Sequence, residues 1–226
     1  MTIKRLLVLL IGILLVAGVT IAQGPRKDLG KNVPLPSGGT DQEAPAKSDA
    51  QALKEVRDPN LSVERPSYSI TAPLGSDWFY VGSGENNGVF EITYFKKSDS
   101  NTHTLFAKVS EFHGSVSSVH NPQEFLDVTK KAFEFDTDPR LIQVREKEVE
   151  LDDKFGSYCV RRYTKAEHSI GNEFLLTETY SYIFIHPNFS NLSIGVVYSE
   201  RGKPDEIDPN FKYIAQKFID GLRLKK

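Results

Sequence analysis

Between Leu141 and Ser199 the chain passes through four strand-patterned segments with no helix among them. LIQVREKEVEL (141–151) changes its apolar parity near Arg145, the mark of a bulge or bend. DDKFG then makes a turn, and SYCVRRYTK (157–165) returns from it. EFLLTETYSYIFIHP (173–187) becomes apolar on both faces by Tyr182–Ile185, as a strand covered on both sides should. In NLSIGVVYS, Leu192, Ile194, Val196 and Tyr198 face one way, and Ser193, Gly195 and Val197 face the other. Consecutive strands of this kind are hairpins, so the block dictates an antiparallel sheet.

Further strands precede the block. RPSYSITAPLGSDWFYVG opens with a short alternation at Tyr68 and Ile70, and VFEITYFKK (89–97) and THTLFAKVSEF (102–112) alternate too. NPQEFLDVTKKAFEFD reads as a helix. Asn121 is a good N-cap, Pro122 suits the first helical position, and Glu124 gives a capping-box-like spacing. Phe125, Val128, Ala132 and Phe135 would line its inner side. DPNFKYIAQKFIDGLRL reads as a second helix, capped by Asp208 with Pro209 at its first position. Its expected stripe is Phe211, Ile214, Ala215, Phe218 and Leu222. The expected fold class is α+β: an antiparallel β-sheet of about six to seven strands covered by two amphipathic helices.

This order of elements resembles the PsbP-like family of α/β/α sandwiches. The matching features are YSITAPLGSDW, an extended run leading into Pro73 and Trp78; the helix NPQEFLDVTKKAF; and the closing helix FKYIAQKFIDGL with its short tail. The resemblance covers residues 67–226. That family includes an extrinsic photosystem subunit, a nuclear-import factor that binds a small GTPase, and bacterial envelope lipoproteins. It implies a binding or assembly role and supplies no site residues. No cysteine directly follows the N-terminal apolar run, which departs from the envelope lipoproteins.

That run sets the expected address. Lys4 and Arg5 precede an uncharged stretch of 17 residues, Leu6 to Ala22, and Thr20-Ile21-Ala22 offers small residues where a signal peptidase reads. Residues 1–22 are therefore a signal peptide or an N-terminal membrane anchor, and the charge order exports the rest under either fate. Residues 23–66 are rich in Pro, Gly, Ser, Ala and charge and read as a disordered linker. As a flexible coil, a linker of that length reaches about 35–40 Å. A single globular domain over 67–226 follows. The exported chain would be membrane-anchored, or secreted or periplasmic if the segment is cleaved.

Charge and motif content narrow the function. Residues 67–226 hold 19 Lys/Arg against 23 Asp/Glu, an acidic balance with no general attraction for nucleic acid. The single cysteine, Cys159, forms no intramolecular disulfide and no CxxC metal site, and reads as a core residue. VGSGENNGVF (81–90) has the glycines of a phosphate cradle, but a strand follows them where a cradle needs a helix, and Asn87-Gly88 is a hairpin signal. No nucleotide is expected. His113 and His120 flank a loop without metal-ligand spacing, and the alternating Glu146, Glu148 and Glu150 suit a solvated edge. No catalytic residue, cofactor or metal is assigned.

Two stretches could serve recognition. Trp78-Phe79-Tyr80 cannot all face the core of an extended segment, so Trp78 or Tyr80 could sit at a binding surface, with Trp78 as a core plug the competing reading. His186-Pro187-Asn188-Phe189 forms a hairpin tip where His186 and Phe189 could contact a partner. The functional expectation is a non-catalytic binding or assembly module acting through a protein partner at a membrane or in the cell envelope. The alternatives are a periplasmic small-ligand carrier, or a hydrolase whose site is scattered in sequence.

Overall fold

The computed structural model describes residues 54–55 and 62–226, apart from 87–88, 97, 101, 115–118, 135–139 and 171. The apolar run 6–22, with its two fates, lies outside the described residues, as does most of the expected linker. In chain order the elements are β1 (Lys54–Glu55), β2 (Ser62–Glu64), β3 (Tyr68–Thr71), β4 (Trp78–Asn86), β5 (Val89–Lys96), β6 (Thr104–His113) and α1 (Pro122–Glu134). Then come β7 (Leu141–Leu151), β8 (Cys159–Ile170), β9 (Glu173–Ile185), β10 (Leu192–Gly202), α2 (Phe211–Asp220) and β11 (Leu222–Leu224). The fold is a sheet-rich α+β fold. The long strands run in the order β4-β5-β6-β10-β9-β8-β7, with the short β1 added at the β4 edge, and every pairing is antiparallel.

Local expectations and structure meet at several points. The parity change in β7 corresponds to register shifts between Leu141 and Gln143 and between Val144 and Glu146. β7 is the far edge of the sheet and its glutamates are exposed. The Asn121 side chain accepts the Glu124 N–H at 2.9 Å, and the Glu124 carboxylate reaches back to the His120 N–H at 2.9 Å. The capping box is thus closed one residue further out than its usual geometry.

Other expectations need correction. The buried side of α1 is Phe125, Leu126, Thr129, Ala132 and Phe133, so the stripe is rotated from the one expected through Val128. Thr129 can be buried because its hydroxyl donates to Phe125 O at 2.7 Å. Leu222 does not extend the α2 stripe. The helix ends at Gly221, where a Cβ would lie 2.3 Å from Thr71 Oγ1, and Leu222 begins β11. β11, β3 and β2 form a second, three-stranded sheet that the strand patterns did not reveal. β2 lies inside the span expected as linker. Ser62–Glu64 pairs with Tyr68–Thr71, and Arg65 donates to Glu111 at 3.2 Å, so folded structure begins before Ser67. A three-residue strand of Ser, Val and Glu carries too little apolar signal to be seen without its partner.

Strand alternation divides the core. On one face of the large sheet, Ile92, Tyr94, Ala107, Val109, Ile194, Val196, Tyr198, Tyr182 and Phe184 pack with Phe211, Ala215 and Phe218 of α2 and with Tyr68 and Ile70 of β3. On the other face, α1 covers Val160 and Ile183 with Phe125, Leu126, Ala132 and Phe133. Lys108, Ser110, Ser181 and Ser199 fall on this second face by alternation and are buried.

Candidate functional site

The glycine-rich stretch lies in a strand. Gly82 pairs with Thr93, Gly84 with Glu91, and Asn86 with Val89, so β4 leads directly into β5. Residues 87–88 lie outside the described set.

The four residues expected at a binding surface divide into two pairs. Trp78 is only 2% exposed; its Nε1–H donates to Leu74 O at 3.2 Å and its ring packs on Tyr198 at 5.9 Å. It is a core plug and offers no surface, and the turn that leads into it carries Asp77 at φ 67°. Tyr80 is half-buried against Tyr94. His186 is 1% exposed and also offers no surface. Its Nε2–H donates to Ser67 O at 3.0 Å and its Nδ1 accepts the Asn188 N–H at 3.1 Å, which selects the tautomer protonated at Nε2 and ties the hairpin tip to the β2–β3 turn. Phe189 is 39% exposed, with its ring on His186 at 4.7 Å. The register places Trp78 at one end of the strands and His186 at the other, about 27 Å apart along the strand direction at roughly 3.4 Å per residue. The structure therefore does not bring the four together.

The hairpin-tip end holds a groove. Gly156, at φ 111°, closes the turn after Lys154-Phe155, and a Cβ there would lie 3.7 Å from Pro187. The two turns are thus neighbours. Beside them opens a cleft of about 530 Å³ lined by Lys154, Phe155, Asp220, Leu222, Arg223 and Leu224. That volume is within the roughly 300–1,000 Å³ of ligand clefts. Phe155 forms its apolar floor, stacked on Phe184 at 4.4 Å. Lys154 donates to Asp220 at 2.5 Å and Gln216 donates to the same oxygen at 2.9 Å. Burial alone would raise the Asp220 carboxyl, but these two donors hold it below the usual carboxylate range. Sequence reasoning missed this site because it placed Leu222 in a helix. The signal available was Gly221 followed by the apolar–charged–apolar triplet Leu222-Arg223-Leu224.

A second cluster has the outline of a nucleophile, base and carboxylate. Ser98 Oγ lies 3.3 Å from His103 Nδ1, and His103 Nε2 lies 2.7 Å from Glu200 Oε1. Its other bonds also hold two segments of chain together. Ser98 Oγ accepts the Ser100 N–H, Glu200 accepts the Asp208 N–H, and Glu206 accepts from Thr102 and from the Lys203 N–H. Together they bind the β5–β6 turn to the segment before α2. The groove above and a shallower one at Leu151, Asp152, Asp153 and Ser157 both lie elsewhere. Burial raises the Glu200 carboxyl, opposed by His103 and the Asp208 N–H. A carboxyl raised on folding takes up a proton, so its contribution to stability is fullest in acid and declines as pH rises from the ordinary glutamate range through the raised value. Glu200→Gln should therefore flatten the fall in stability, measured by urea unfolding, as pH rises out of the ordinary glutamate range. An unchanged profile would show that this carboxyl does not titrate with folding. Cys159 is buried in the core, and burial pushes its thiol up to about 12.

No family model matches the chain, and no curated protein matches it. Among solved structures, the chain is similar to the crystal structure of LpqN, involved in cell envelope biogenesis of Mycobacterium tuberculosis. The identity is 14%, the match covers 74% of this chain and 90% of that one, and the TM-score is 0.44. No residue of the groove is carried over from it.

Proposed function

We propose that the chain is a non-catalytic binding module, exported and held at a membrane by residues 6–22, with a PsbP-like α/β/α domain that engages a protein partner. No helix among the described residues is long and apolar enough to cross a membrane, and the tether in this reading is the N-terminal apolar run. The observation that carries the reading is the groove at the hairpin-tip end. It combines an aromatic floor, an exposed arginine and a short edge strand, and the turn after Phe155 approaches Pro187 of the hairpin tip that carries the exposed Phe189. This is the mixture of anchor pocket and polar rim found in protein interfaces.

Native co-purification from detergent-solubilised membranes tests it. A partner recovered in stoichiometric amount with the wild-type chain should be lost or reduced with Phe189→Ala, whose stability should fall by no more than about 1 kcal/mol. Recovery of a lone chain, with no partner, would sink the binding reading. A chain recovered without residues 1–22 would sink the tether.

A further inference from the structure

Among the described residues β11 is paired on one side only. It stands at the end of the order β11-β3-β2, with Leu222, Arg223 and Leu224 opposite Ile70, Ser69 and Tyr68. Two hydrogen bonds set its phase. The Lys225 N–H donates to Ser67 O at 2.9 Å, and the Arg65 N–H donates to Tyr68 O at 2.8 Å on the β2 side of β3. Bonded and non-bonded positions alternate along an antiparallel pair. Lys225 opposite Ser67 is a bonded position, so Arg223 opposite Ser69 is one too. The peptide groups of Leu222 and Leu224 therefore point away from β3, and both residues line the groove together with Lys154 and Phe155.

We propose that this groove takes an extended strand of a protein partner, added to the β11 edge, with an acidic side chain opposite Arg223 between two apolar ones. The inference rests on the binding-module reading and names the segment that such a partner would present. Backbone bonds give strand addition its affinity, and alternate side chains give its specificity. Leu222 is buried, Leu224 half-buried and Phe155 buried, so apolar side chains on that face meet an apolar floor. Arg223 projects from the other face of the strand. Lys154 and Asp220 neutralise one another, which leaves Arg223 as the uncompensated charge among the described groove residues. An acid opposite it forms a cross-strand ion pair. Self-pairing of two β11 edges about Arg223 would set like charges opposite one another, so a second copy is the poorer occupant.

The probe is a fluorescent Thr-Val-Glu-Val-Thr peptide, titrated by anisotropy onto the full-length chain in detergent micelles. It should bind about threefold to tenfold more tightly than its Lys-centred counterpart, and Arg223→Glu should invert that preference. Leu224→Pro removes an outward N–H and no bond to β3, so it should abolish binding while the fold persists. N-methylating alternate amides of the probe makes the same test with the protein unaltered. Equal binding of the Glu- and Lys-centred peptides, or undiminished binding of the N-methylated one, overturns strand addition. So does a co-purifying partner that persists with both variants, although the binding-module reading then stands. Failure of the wild-type chain to recover any partner sinks that reading instead.

Discussion

Trp78→Ala is expected to cost about 3–5 kcal/mol, the range for truncating a buried Trp or Phe. The indole fills space between β4 and Tyr198 and satisfies its one donor on Leu74 O, so truncation leaves a cavity and removes that bond. A domain is typically stable by only about 5–15 kcal/mol, so the variant would keep a fraction of its stability or fail to fold. With a urea dependence of about 1–3 kcal/mol/M, the unfolding midpoint should drop by more than about 1 M. Trp78→Phe keeps most of the volume and loses the N–H bond, for about 1 kcal/mol. A midpoint unchanged in Trp78→Ala would place the indole outside the core. The expected result also decides how interaction experiments are read: a partner lost on Trp78→Ala would report unfolding, whereas the same loss on Phe189→Ala would report a surface.

Glu91→Ala is expected to be as damaging, and for a different reason. The Lys108 side chain is 1% exposed and its Nζ donates to Glu91 Oε1 at 2.8 Å, an oxygen that also receives Ser110 Oγ at 3.1 Å. Removing the carboxylate strands a buried ammonium without its counter-ion, which costs about 3–5 kcal/mol where such pairs are broken. Lys108→Met should cost far less, because Glu91 is 29% exposed and can be solvated when its partner is gone. The double variant Glu91→Ala with Lys108→Met should recover most of the loss. Calorimetric or urea unfolding of the four chains gives the coupling directly. Equal losses in the two single variants, with no recovery in the double, would mean that the pair is screened and that burial of Lys108 is not at stake.

Much of the architecture was legible in the residues. The four consecutive strand patterns, the parity break at Arg145, the Asn121–Glu124 cap and the apolar face of α2 each report local chemistry, and each has its counterpart in the structure. The alternation in β10 identified which of its side chains share a face.

What only the tertiary structure decided depends on groups distant in sequence. Trp78 and His186 have the composition of recognition residues, yet both are buried, because the Leu74 carbonyl and the Ser67 carbonyl complete their hydrogen bonding. A hydrogen-bond partner 119 positions away leaves no periodicity to read. β2 and β11 are three residues each, too short to carry a pattern, and are strands only because β3 supplies bonds to both. The groove follows from that pairing. Its lining comes from the turn before β8, the end of α2 and β11, and those pieces meet only once Gly221 has ended the helix against Thr71 and turned the chain back along β3. Side-chain pattern is a local property of the chain, so it specified the large sheet and its helices. The β11 edge, paired on one side only among the described residues, and its arginine are properties of closure, and closure needed the fold.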